Sequence, residues 1–206
     1  FLTVVGSAQN NLVVNGSFEE LPSCEIELNS YLDSLDGWYT FYHGQGNSCD
    51  IFNSCSSNLS TGVPQNSLGV QDALDGSGYC GFIPYGVTEA AAGTLSQALQ
   101  EDSLYSISFG LSLSERSNKA VGDLALVFFD SAFTVHYSQY YEFSPSAVHY
   151  APLIQKDGWT IIDTIYKASG NETNFAIGYF PDTLVYEPID LPQGDLNSHY
   201  YYLDDV

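Results

Sequence analysis

The sequence predicts an all-β protein folded as an antiparallel β-sandwich. Three observations carry this. The clearest is alternation with period two: Tyr105, Ile107, Phe109, Leu111 and Leu113 share one face, while Ser106, Ser108, Gly110, Ser112 and Ser114 share the other, as in a strand with one face buried and one face wet. The second is a succession of about ten short apolar runs at near-regular spacing, punctuated by Gly, Asn, Ser, Asp and Pro. The third is that no stretch sustains the 3.6-residue period of a long helix.

In chain order, the expected strands are Leu12–Val14, Trp38–Tyr42, Tyr79–Ile83, Thr94–Leu99, the alternating run from Tyr105, Leu124–Phe129, Phe133–Tyr137, Trp159–Ile165, the run carrying Phe175, Ile177 and Tyr179, and Tyr200–Val206. Gly44–Gly69 is rich in turn residues and holds two cysteines, so it reads as a long excursion. Thr183–Ser198, with Pro188, Pro192 and Gly194, reads as a second long loop. No internal repeat or linker divides the chain, and residues 9–206 are expected to form a single domain. Residues 1–8 read in one of two ways. Phe1–Val5 followed by Gly6-Ser7-Ala8 has the apolar stretch and small residues of a signal-peptide end. The same Phe1–Val5 would also serve as a retained strand. Both readings imply export.

Composition narrows the function. Among 206 residues, 25 are acidic and four are basic, for a net charge of −21. The cations Arg116, Lys119, Lys156 and Lys167 are scattered. They form no stripe that could neutralise phosphates, which excludes a nucleic-acid partner and an anionic membrane surface. The longest apolar run, Leu124–Phe129, is too short for a membrane span. Most carboxylates must therefore face water, cap backbone groups or hold a cation such as calcium. The four cysteines, Cys24, Cys49, Cys55 and Cys80, form no C-x-x-C. In an exported chain they read as disulfides with three possible connectivities.

The opening Asn11-Leu12-Val13-Val14-Asn15-Gly16-Ser17-Phe18-Glu19 and the ending Tyr202-Leu203-Asp204-Asp205-Val206 resemble the first and last strands of galactose-binding-like jelly rolls, the group that includes many carbohydrate-binding modules. Gly37-Trp38 and Gly158-Trp159 match their recurrent "GW" strand starts. A closer resemblance is to jelly-roll domains of bacterial outer-surface proteins. Its matching residues are Asp50–Cys55, Gly62–Asn66, Gly69–Gln71, Gly78–Phe82 and Leu113–Ser117. It implies a jelly-roll sandwich over roughly residues 11–206 that acts by binding. It also implies two bridges, Cys24–Cys55 at the usual cysteine positions and Cys49–Cys80 as the unusual pair. A structural calcium ion shared by Glu19 and Asp204 is implied as well. The last strand of such jelly rolls normally runs a few residues past the position of Val206.

The residues supply their own reasons for some of these expectations. On a period-two strand, Asp204 shares a face with Tyr202 and Val206. A carboxylate at a core edge needs a partner, and with so few cations in the chain Ca²⁺ is a natural one. Sugars require flat aromatic rings beside carboxamides and carboxylates. Candidate ligand-binding rings are Trp38, Tyr39, Tyr42, Tyr140 and Tyr201. Trp159 reads as core. No H-E-x-x-H, G-x-S-x-G or phosphate loop is present. The four histidines, His43, His136, His149 and His199, lie apart in sequence outside any catalytic motif. The expected protein is therefore not an enzyme but a secreted or cell-surface interaction module. Its expected partner is extracellular polysaccharide or copies of itself, the latter by donation of Leu2–Val5 to an open sheet edge in a growing filament. Asn15-Gly16-Ser17, Asn58-Leu59-Ser60 and Asn171-Glu172-Thr173 match the glycosylation triplet, a pattern that arises often by chance.

Overall fold

The computed structural model describes residues 10–29, 32–43, 49–85, 89–122, 124–132, 135–136, 147–150, 152–180 and 188–206. For residues 42, 43, 135, 136, 147 and 149 it describes the backbone alone. Residues 1–8, on which both the signal-peptide and the exchanged-strand readings fall, lie outside the described residues, as does Tyr140.

The strands are β1 (Trp38–Thr40), β2 (Tyr42–His43), β3 (Asp50–Asn53), β4 (Gly78–Phe82), β5 (Ala90–Thr94), β6 (Leu104–Leu113), β7 (Lys119–Ala120), β8 (Leu124–Phe129), β9 (Val135–His136), β10 (Ala147–Tyr150), β11 (Thr160–Lys167), β12 (Asn174–Gly178), β13 (Ile189–Asp190) and β14 (Tyr201–Asp204). Two five-stranded antiparallel sheets face each other, one ordered β1-β5-β12-β8-β10 and the other β11-β6-β14-β4-β3. Consecutive long strands switch sheets: β4 and β6 lie in one and β5 in the other, and β11, β12 and β14 alternate in the same way. That crossing between layers is jelly-roll connectivity, and the expected fold class holds.

The shared core lies between the sheets. It joins Phe18, Trp38, Phe82, Phe109, Leu126, Phe175, Tyr201 and Leu203. The alternation read from Tyr105 onward is realised in β6, where Phe109, Leu111 and Leu113 belong to this core. Each such side chain contributes about 1.5–3 kcal/mol on leaving water. Two further clusters cover the outer faces. On the first sheet, Phe41, Ala90, Ala92, Ala125, Val127, Phe129, Ala176 and Phe180 come together. On the second, Phe52, Tyr79, Tyr200 and Tyr202 pack against Val63, Leu68 and Ala73 of the 54–77 excursion.

The excursion is therefore a plug on the outer face, stitched to the tyrosine hydroxyls. Asn66 donates to the Tyr79 hydroxyl at 3.0 Å. Tyr202 donates to Asn66 Oδ1 at 3.2 Å, and Tyr79 to the Gln71 carbonyl at 3.0 Å. One disulfide, Cys24–Cys55, anchors the start of the excursion to the N-terminal segment.

The segment 11–16 and the residues after β14 meet. Val206 donates to the Gly16 carbonyl at 3.1 Å, and Asn11 Nδ2 donates to the Val206 carbonyl at 2.8 Å. A Cβ on Gly16 would collide with that same carbonyl, so glycine is required by the close approach.

Candidate functional site

The structure sorts the expected site residues into three groups. Trp38 and Tyr201 belong to the core, at 4% and 0% exposure. The Trp38 ring packs 4.6 Å from Phe18 and 5.5 Å from Phe175, and its Nε1 donates to the Asn15 carbonyl at 3.0 Å. The Tyr201 hydroxyl donates to the Leu153 carbonyl at 3.0 Å and accepts from Val121 N at 3.2 Å. A ring sealed on both sides offers no face to a sugar, and this removes both from the stacking set. Tyr39 is half-buried against the outer cluster of the first sheet, and burial pushes its phenol up. The side chains of Tyr42 and Tyr140 lie outside the described residues. Trp159 is half-buried over Tyr79 at 5.8 Å and donates to the Asp72 carbonyl at 2.8 Å.

Glu19 and Asp204 do converge on one loop, residues 72–78, but they hold it through its amides. Glu19 Oε1 accepts from Ser77 N at 2.7 Å and Gly78 N at 2.8 Å. Asp204 Oδ2 accepts from Leu74 N at 2.8 Å and Asp75 N at 3.1 Å, and its Oδ1 from Asp205 N at 2.8 Å. Asp204 lies on the outer side of β14 with Tyr202, while Tyr201 and Leu203 face the inter-sheet core. Burial pushes its carboxyl up to about 7, although the three amides pull the other way. Among the described residues no three His, Cys, Asp or Glu side chains come together. The bonds described for both carboxylates come from backbone amides.

The cysteines divide. Cys24–Cys55 forms as the resemblance implied. Cys49 and Cys80 are buried free thiols, which corrects the expected second bridge. The register explains why: Cys80 stands opposite Ile51, so Cys49 is its diagonal neighbour on the same face. Diagonal positions are about 7–8 Å apart, beyond the roughly 3.5–4.5 Å Cβ separation of a disulfide. Burial pushes both thiols well above the ordinary range, so neither is a ready nucleophile.

The feature that the sequence did not reveal is a cleft of about 690 Å³ at one end of the sandwich. Its lining draws on both sheets: the half-buried Tyr105 and Ile107 of β6, and the buried Leu126 and Phe128 of β8 and Phe175 of β12. Its rim is polar, with Asn10, Asn11, Gln97, Ser106, Ser108 and Asp205. The cleft lies along β6. β11 covers β6 from Leu104 to Leu111, whereas β14 pairs only with Gly110–Leu113. Along residues 104–109, the edge of β6 on the cleft side has no strand partner among the described residues.

No family model matches the sequence, and no curated protein matches it. Solved structures of similar shape include a family 16 carbohydrate-binding module, at 12% identity and TM-score 0.44, with 95% of this chain and 96% of that chain covered. Another is the CBM22-2 xylan-binding domain of Paenibacillus barcinonensis Xyn10C, at 10% identity and TM-score 0.42, with 83% and 89% covered. A third is the K2 cleaved adhesin domain of Lys-gingipain, at 10% identity and TM-score 0.44, with 87% and 94% covered. At such identities these are likenesses of shape, and no residue's role passes through them.

Proposed function

We propose that this chain is a non-enzymatic extracellular interaction module that binds polysaccharide in the cleft beside β6. The single observation that supports it is the lining: the half-buried Tyr105 and Ile107 beside carboxamides, hydroxyls and one carboxylate. Sugars present apolar C–H faces and hydroxyls together, and that pairing of surfaces is what recognises them. The Tyr105 hydroxyl accepts from Gln100 N at 3.0 Å, which fixes the ring at the mouth of the cleft.

Affinity electrophoresis of the whole chain through gels containing soluble xylan, β-glucan or galactomannan tests the reading. Retardation by at least one polymer, weakened several-fold in Tyr105→Ala and Gln97→Ala, is the expected result. No retardation by any polymer, or retardation unchanged in both variants, overturns it.

A second reading rests on the edge of β6 along residues 104–109, with which no strand pairs among the described residues. A β-strand added there would satisfy main-chain groups and cover the apolar lining, and Leu2–Val5 of another copy has the required composition. It predicts that removing residues 1–8 abolishes self-association, and that Tyr105→Ala leaves polysaccharide retardation unchanged.

A further inference from the structure

On the other side of β6 from the cleft, β11 ends its sheet. It runs eight residues from Thr160 to Lys167, with no proline or glycine, and pairs with β6 along its whole length. No strand pairs with its outer edge among the described residues. In an antiparallel pair, alternate residues send N–H and C=O away from the partner, so β11 presents a row of main-chain donors and acceptors. Its side chains alternate: Ile161, Asp163, Ile165 and Lys167 are exposed, while Ile162 and Thr164 are half-buried and Tyr166 is buried. Ile161 and Ile165 are 52% and 60% exposed, which is high for isoleucines on a regular strand. A long edge of this kind, rich in β-branched residues, is a template for another strand.

We propose that the β11 edge is a homodimer interface, in which β11 pairs antiparallel with β11 of a second copy about a two-fold axis and joins the two sheets into one. The pattern of charge selects the partner and the register. A two-fold perpendicular to the sheet keeps the outer face outermost, so only residues of like parity stand opposite one another. Centring the axis on Asp163 would oppose two aspartates. Centring it on Thr164 would set Asp163 against the partner's Ile165 and Ile161 against the partner's Lys167. Centring it on Ile165 sets Ile165 against the partner's Ile165, and Asp163 against the partner's Lys167 twice. Only the last register is complementary, and cross-strand pairs of opposite charge or of β-branched residues each favour association. A foreign strand would need its own matching charges; a second copy carries them already.

Little inside the monomer competes. Across β6, Asp163 faces Ser108, Ile165 faces Ser106 and Lys167 faces Leu104. The Lys167 ammonium meets Asp102 at 2.5 Å, with both side chains largely exposed, and a pair of that kind is worth little. Opposition comes from the net charge of −21 on each copy, a long-range repulsion that salt screens. Dimerisation therefore strengthens with moderate salt, opposite to the trend of association held by ion pairs alone.

The test is sedimentation equilibrium of the full chain at low and moderate ionic strength. The unmodified chain is expected to dimerise reversibly, more tightly in the higher salt. Asp163→Lys opposes two lysines to two lysines and is expected to weaken the dimer by about tenfold or more. The charge-swapped double variant, Asp163→Lys with Lys167→Asp, restores the complementarity and is expected to restore the dimer. All three should give the same circular dichroism, because both positions are exposed. A chain that stays monomeric throughout, an Asp163→Lys variant that dimerises as well as the parent, or a double variant that fails to recover would each overturn the proposal. Removing residues 1–8 should leave the dimer intact; its loss would assign the association to the N-terminal segment instead. Polysaccharide retardation is read separately, so failure of either proposal leaves the other standing.

Discussion

Individual carboxylates show how a chain so poor in cations keeps acids inside. Glu172 is the fullest case. Its Oε1 accepts from the Tyr166 hydroxyl at 2.8 Å and Ser169 N at 2.6 Å, and its Oε2 from Gly170 N at 2.7 Å. Burial alone would raise its pKa, but these donors outweigh burial and hold it below the ordinary glutamate value. A group whose folded pKa is depressed adds stability above its unfolded pKa, and loses it as pH falls through the folded value. Glu172→Gln should therefore cost about 1–3 kcal/mol at neutral pH. The gap between parent and variant should close as pH drops below about 4. Urea titrations of both proteins across that range would measure it, and a constant gap would show that the carboxylate's charge contributes nothing. Asp50 shows the opposite balance. Burial raises its pKa despite a 2.7 Å bond from the Tyr200 hydroxyl and a 2.6 Å bond from Asn29 N. No residue pattern distinguishes the two, because the donors to Asp50 come from positions 21 and 150 residues away in sequence.

At the scale of elements, the excursion 54–77 depends on its anchors more than on regular structure. The Cys24–Cys55 bridge closes a span of 31 residues, and removing both thiols as Cys24→Ala with Cys55→Ala should cost about 2–4 kcal/mol. The loss should appear first as exchange of amides in the plug, before the main sheets open. If the plug and the sheets exchange together, the plug is not a separate unit. The plug also explains what the sequence hid. Tyr201 reads as a candidate ligand-binding ring, yet it turns into the core, while Tyr200 and Tyr202 lie under the plug. β6 was legible by its alternation with exposed serines, while β8 and β12, covered on both faces, were legible through their bulky apolar residues; all three fall within a residue or two of their expected places. β5 was not, and Thr94–Leu99 was expected where Ala90–Thr94 forms. Both faces of β5 are covered, one by the core and one by the outer cluster, so it has no alternation to read. Its alanines also carry little β-propensity. β3 was missed because Asp50 and Asn53, residue types uncommon in strands, leave only Ile51 and Phe52 as its apolar signal. The cleft was illegible because its lining is gathered from segments far apart in sequence, from Asn10 to Val206.

For the whole molecule, the dominant long-range term is the charge of −21. Salt bridges cannot absorb it: Arg116 meets Asp195 at 2.9 Å and Lys167 meets Asp102 at 2.5 Å, all on exposed side chains. Lys156 is used differently, its ammonium donating to the backbone carbonyls of Gln193 at 2.6 Å, of Glu115 at 3.4 Å and of Ser117. Self-repulsion therefore opposes the compact state, and screening it should raise the melting temperature. That sets up a direct test of calcium at Glu19 and Asp204. Where the loop 72–78 amides already occupy those carboxylates, calcium acts only as a counter-ion, and CaCl₂ and NaCl at equal ionic strength should raise the melting temperature alike. A true site would add a saturable term, about 2.7 kcal/mol at a calcium concentration one hundred times the dissociation constant. For a chain of this size that is a shift of roughly 5–10 °C, large against the difference between two salts. It would vanish in Glu19→Gln, whose amide oxygen still accepts from the loop while its charge is gone. Equal curves for the two salts would leave the loop amides as the partners of both carboxylates; a saturable, calcium-specific rise would place the metal at that loop.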